Sequence, residues 1–213
     1  MNRTAKMVGS IACAVALGYF AAQASGANLI TNPGFETGDL TGWTVLGASG
    51  AGAVTVTADN GPSAPGSYSA FMTNGAVAAN LALQQSTPLG SAIPGQTVDY
   101  SFDLKVSSSL NGGVCFIHIW DINSTGGVID QPPGLLGPYF NSTWATDSGS
   151  FTAAPNTDHF EIEFDCTTGA ASGSFEAMHV DNVSLSQIPE PSTLALVGLG
   201  LFSALFAIRR RQA

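Results

Sequence analysis

Hydrophobic and polar residues alternate with a period of two along much of the chain, the pattern of strands with one packed and one wet face. Residues 97–106 show it most clearly. Val98, Tyr100, Phe102, Leu104 and Val106 point one way, and Asp99, Ser101, Asp103 and Lys105 point the other. Phe160, Ile162, Phe164 and Cys166 repeat the pattern against Glu161, Glu163 and Asp165. Shorter strands are predicted at 53–57, 69–73 and 79–84, and a closing strand at 177–185. Turn chemistry rich in Gly, Pro, Asn and Ser separates these runs at intervals of about ten residues. The predicted fold is all-β, a two-sheet antiparallel β-sandwich of jelly-roll form.

The two ends break this pattern. Arg3 and Lys6 precede an uncharged apolar run at 7–22, and Ala22-Gln23-Ala24 is a small-x-small cleavage pattern. That combination reads as a signal peptide over 1–27, with cleavage after Ala24 or Ala27. At the other end Pro189-Glu190-Pro191 is followed by an uncharged stretch at 192–208 and then by Arg209, Arg210 and Arg211. As a helix that stretch is roughly 24–26 Å long, able to cross a thinned bilayer with the arginines on the cytoplasmic side. The order of motif, short apolar helix and basic end resembles the PEP-CTERM sorting tail of Gram-negative bacteria. The resemblance implies recognition and cleavage by an exosortase, whereas the residues alone also allow an ordinary C-terminal anchor. The chain therefore divides into a signal helix at 1–27, a sandwich domain at 28–187 and a tail with a transmembrane helix at 188–213.

This division changes the charge balance. Of the basic side chains only Lys105 lies in 28–187, against fourteen acids, a formal charge of −13. Such a surface repels phosphate backbones and anionic lipid headgroups, so nucleic-acid binding and peripheral membrane binding are excluded and contact with the membrane is left to the tail helix. Neutral sugars and divalent cations suit it better.

The opening Asn28-Leu29-Ile30-Thr31-Asn32-Pro33-Gly34-Phe35-Glu36-Thr37-Gly38, followed by Gly42-Trp43, resembles the first strand and turn of jelly-roll carbohydrate-binding modules. Gly66-Ser67-Tyr68-Ser69-Ala70, Leu83-Gln84-Gln85, Pro94-Gly95-Gln96-Thr97 and the closing Val180-Asp181-Asn182-Val183-Ser184-Leu185 continue the resemblance in order. In those modules one sheet face forms a groove where aromatic rings stack on sugars. Alternation in 114–120 puts Cys115, Ile117 and Ile119 on one face and Phe116, His118 and Trp120 on the other, where a monomer normally has polar groups. By resemblance Phe116, His118 and Trp120 line the groove, with Asp103, Lys105, Glu161 and Glu163 as polar partners. The alternative is that the loop 125–144 folds over these rings and buries them. The resemblance also implies a structural Ca2+ held by Glu36, Asp181 and carbonyls around Ser67. For Glu36 the other reading is a turn-capping carboxylate, and for Asp181 a solvated strand end.

Cys115 begins one inward-facing series and Cys166 ends another, so neighbouring strands bring them together as a disulfide or as two buried thiols, the exported compartment favouring the former. Asp121-Ile122-Asn123 lacks the acidic positions of an EF-hand and reads as an Asx turn. Glu161 and Glu163 share a strand face, and paired carboxylates are what glycoside hydrolysis uses, yet such neighbours lie side by side rather than across a cleft. The predicted function is a non-catalytic, exported polysaccharide-binding protein of the cell surface or extracellular matrix. The alternatives are a self-associating biofilm protein and a polysaccharide hydrolase or lyase.

Overall fold

The computed structural model describes residues 26–47, 52–63 and 65–187. The predicted signal helix, the Pro189-Glu190-Pro191 motif, the transmembrane helix and Arg209 to Arg211 lie outside the described residues. Among the described residues no helix is long and apolar enough to cross a membrane.

In chain order the strands are β1 (Thr44–Leu46), β2 (Gly52–Thr57), β3 (Ser69–Asn74), β4 (Asn80–Ser86), β5 (Thr97–Leu110) and β6 (Val114–Ile122). They continue as β7 (Val128–Asp130), β8 (Leu136–Tyr139), β9 (Ala145–Thr152), β10 (His159–Thr167) and β11 (Phe175–Gln187). A front sheet has the order β1-β4-β10-β6-β7, with β8 also pairing β6, and a back sheet has the order β2-β3-β11-β5-β9. All pairings are antiparallel. The two sheets match the all-β sandwich expected from the alternation.

Their inner faces form one core. Ile117, Ile119, Phe160, Ile162 and Phe164 of the front sheet, and Met72, Phe102, Leu104, Met178 and Val180 of the back sheet, are buried in it. Phe102 meets Phe164 edge-on at 5.5 Å, one of the favoured aromatic geometries. Cys166 is in register with Cys115, with Cα atoms 4.3 Å apart, and a disulfide joins them on the inner side of the front sheet.

Two segments differ from their predicted form. The opening residues form no strand, because Asn32 and Phe35 take φ of 49° and 56°, which extended backbone does not allow. The segment is clasped instead: Asn28 Nδ2 donates to the Val183 carbonyl at 2.9 Å and Asn28 Oδ1 accepts from Leu185 N at 3.0 Å. Its turn drives Phe35 into the core against Trp43, with ring centroids 5.4 Å apart. The loop 125–144 is not structureless, since it contributes β7 and β8 to the front sheet. Its Asx turn is made by Asn123, whose Oδ1 accepts from the N–H groups of Thr125 and Gly127, both at 2.9 Å.

The connection between β2 and β3 straps the outer side of the back sheet through backbone N–H groups aimed at carboxylates. Gly61 N donates to Asp181 Oδ2 at 2.7 Å and Ser63 N donates to Asp103 Oδ2 at 2.8 Å. Ser67 N and Tyr68 N both donate to Glu36 Oε1, at 2.8 and 3.0 Å. At its start Asp59 pairs with Lys105 and accepts from the Trp144 indole at 3.1 Å.

Candidate functional site

The outer face of the front sheet is assembled by register. Trp120 stands opposite Glu161, His118 opposite Glu163 and Phe116 opposite Asp165. On the other side of β10, Ser86 faces Glu161, Gln84 faces Glu163 and Ala82 faces Asp165. Period-two alternation on three adjacent strands thus turns aromatic, acidic and amide side chains to one side. The Phe116, His118 and Trp120 side chains are half-buried, with β7 and β8 of the 125–144 segment paired alongside β6.

The rings are ordered by each other. His118 and Trp120 stack with centroids 4.8 Å apart and planes 12° apart, so each ring spends one face on its neighbour. From the β7 side the Gln131 amide reaches His118 Nδ1 at 3.1 Å and donates to the Gly134 carbonyl at 3.0 Å. The acids are tethered from the β4 side. Gln84 Nε2 donates to Glu161 Oε1 at 2.8 Å and to Glu163 Oε2 at 3.0 Å, and Ser86 Oγ donates to Glu161 Oε2 at 2.9 Å. Burial, and then the charges of Asp165 and Glu161, push the Glu163 pKa up to about 6.

Five of the residues anticipated for a groove, Phe116, His118, Trp120, Glu161 and Glu163, share this face. Asp103 and Lys105 do not. They belong to β5 in the back sheet, because alternation tells which way a side chain points and not which sheet its strand joins. Lys105 is engaged there with Asp59 and with the face of the Trp144 ring, 5.1 Å from its centroid. Three further side chains of this face were not anticipated: Gln84, Ser86 and Asp165. Alternation in 80–86 and the i, i+2 series Glu161, Glu163, Asp165 carry their signal.

The residues anticipated for calcium meet elsewhere, at the strap. Gly34 lies between them: a Cβ there would be 3.5 Å from Asp181 Oδ1 and 3.6 Å from Glu36 Cγ. A Cβ on Gly66 would meet Glu36 Oε1 at 2.6 Å. At Gly66 a Cβ would crowd the Glu36 carboxylate, whereas at Gly34 it would make ordinary contacts. Asp181 is 1% exposed, and its pKa is pushed up to about 6 by burial, then by the charges of Asp103 and Glu36. Asp103 joins this cluster rather than the groove. Its burial acts upward, but hydrogen bonds from Ser63, Thr146 and Asn182 outweigh that and hold it below the usual carboxylate range. Hard oxygen donors in this arrangement fit a Ca2+ ion. Glu36 Oε1 already accepts the Ser67 and Tyr68 N–H groups, so Ser67 reaches Glu36 through its nitrogen.

Several solved structures share this architecture. The tailspike protein 4 of bacteriophage CBA120 superposes with a TM-score of 0.61 at 18% identity over 76% of the chain, which spans only 21% of the tailspike. The TmCBM61 module, solved with β-1,4-galactotriose, gives 0.51 at 17% identity, covering 76% of this chain and 99% of that one. The CBM22-1 xylan-binding domain of Paenibacillus barcinonensis Xyn10C gives 0.53 at 17% identity, covering 77% and 96%. At these identities the likeness is one of fold. No curated protein sequence matches the chain. Two family models do match: a carbohydrate binding domain over residues 27–171 and a PEP-CTERM protein-sorting motif over residues 187–211. The chain therefore belongs to the carbohydrate binding domain family and carries a PEP-CTERM sorting motif at its C-terminal end.

Proposed function

We propose that this protein is exported, sorted by an exosortase through its C-terminal motif, and binds polysaccharide non-catalytically in the groove of the front sheet. The observation that carries this reading is the register that sets Trp120 and His118 beside Glu161 and Glu163 on one partly exposed sheet face. The free face of Trp120 offers an apolar plane to a sugar ring, while Glu161, Glu163 and Asp165 accept from its hydroxyls. Catalysis is not part of the reading: Glu161 and Glu163 are both tethered to one Gln84 amide, side by side on one strand rather than across a cleft. A structural Ca2+ held by Glu36 and Asp181 next to Ser67 completes the reading, supported by the approach of both side chains to Gly34.

Affinity electrophoresis against a panel of soluble polysaccharides tests the groove. Retardation by at least one glycan is expected, with Trp120→Ala weakening binding at least tenfold, about 1.4 kcal/mol. Equal mobility of wild type and Trp120→Ala on every glycan would remove the groove. Release of reducing ends from any of them, lost in Glu161→Gln, would favour the hydrolase instead.

A further inference from the structure

Two kinds of metal-ligating group meet in the middle of the groove. His118 stands opposite Glu163 in the register, and Asp165 lies two positions farther along the same strand. One ring nitrogen of His118 and one carboxylate oxygen from each acid all lie within 4.8 Å of one another. Ligands about 2.0–2.1 Å from a single ion sit closer together than that limit, so small rotations of these side chains bring them onto one ion.

Each of the three is held by a neighbour from outside the set. Asp165 Oδ2 accepts from Asn80 Nδ2 at 2.7 Å and its Oδ1 accepts from Thr167 Oγ1 at 2.9 Å. Gln84 holds Glu163 and Gln131 holds His118. Outer partners of this kind orient the side chains of metal centres. The face also has a charge deficit. Glu161, Glu163 and Asp165 share it, and among the described residues the one Lys or Arg, Lys105, is on the back sheet and paired with Asp59.

We infer that the centre of the groove binds a divalent transition-metal ion, with His118, Glu163 and Asp165 as its protein ligands. The imidazole nitrogen makes the set borderline in softness, suited to Zn2+ and poorly suited to Ca2+, which takes oxygen. Three protein ligands leave at least one position open to water or to a glycan hydroxyl. Gln131 is the positioning residue. Its amide nitrogen faces Nδ1 and also serves the Gly134 carbonyl, so a ligating His118, which must carry its proton on Nδ1 to bind metal through the other nitrogen, requires that amide to turn over. A carboxylate at 131 accepts the Nδ1 proton without any such turn.

The test is calorimetric titration of the chelator-stripped protein with Zn2+ alone, in buffer containing Ca2+ to occupy oxygen sites. One ion per chain is expected, with a Kd on the order of 10 µM or tighter. His118→Ala and Asp165→Asn should each weaken binding at least tenfold, Gln131→Glu should tighten it severalfold, and Glu36→Gln should leave it unchanged. No saturable binding, or binding that His118→Ala leaves intact, overturns the inference. Loss in His118→Ala without a gain in Gln131→Glu removes the role given to Gln131. The titration contains no glycan, so its failure leaves the polysaccharide reading standing.

Discussion

Glu176 is fully buried on β11, and neither of its carboxylate oxygens has a hydrogen-bond partner. Ser109, its neighbour across the sheet, donates its hydroxyl to the Gly113 carbonyl at 2.7 Å. Burial pushes the Glu176 pKa up to about 7. A carboxyl whose folded pKa is raised keeps its proton in the native state after the unfolded chain has lost it. Its contribution to stability is therefore greatest below about 4.5 and is lost as pH rises through about 7. Glu176→Gln should remove that dependence. At pH 8 it should raise the melting temperature by about 2–4 °C, on the order of 1 kcal/mol, and melting curves from pH 4 to 8 check both effects. At this scale the sequence discloses direction and little more. Alternation puts Phe116, His118 and Trp120 on one face, but nothing local reveals that His118 and Trp120 stack on each other. Nor does it reveal that Lys105 is spent on Asp59, a partner 46 positions away.

At the scale of elements, the strap between β2 and β3 is the segment whose stability is least its own. It contains no strand, and its attachment is made by Glu36, Asp103 and Asp181 accepting from backbone N–H groups. Three acids converge on one segment, and the Asp181 pKa is raised by its burial first and by the charges of Asp103 and Glu36 after it. A Ca2+ ion would offset those charges and compete with the proton on Asp181. Added Ca2+ should therefore stabilise the protein by about 2.7 kcal/mol at a hundredfold excess over its Kd at pH 8, and by less at pH 5. Calorimetric melts with Ca2+ and with EDTA measure this, and Glu36→Gln or Asp181→Asn should abolish the difference. Seven of the eleven described strands are legible in the sequence within a few residues, because each carries its own period; β1, β7, β8 and β9 escape it, being short or largely exposed. The strap is legible only as turn residues, since its partners sit in β5, in β11 and near the start of the domain. The opening segment escapes the pattern for a related reason: its apolar Leu29, Ile30 and Phe35 do pack, but through turns with positive φ.

For the whole molecule, the disulfide fastens the two central strands of the front sheet across a separation of 51 residues. Closing a loop of that size restricts the unfolded chain by roughly 4 kcal/mol in the entropic account. Replacing both cysteines with alanine should cost about 2–4 kcal/mol and lower the melting temperature by roughly 5–15 °C, as a thermal melt of the double variant measures. The sandwich itself is readable from sequence because alternation is a global property. The assignment of β5 and β10 to different sheets is not, since it depends on pairings between distant residues.

The closing strand has a mechanical consequence. β11 is the middle strand of the back sheet, paired with β5 over most of its length and with β3 over Glu176–Val180, and the sorting motif begins at its last residue. A pull directed along β11 from its C-terminal end would load the β5 ladder in shear first and the β3 ladder beyond Val180. An edge strand in that place would have one ladder to resist the same pull instead of two. In the proposed function, a polymer held by the front sheet against a tethered C-terminal end would load the domain through this central strand.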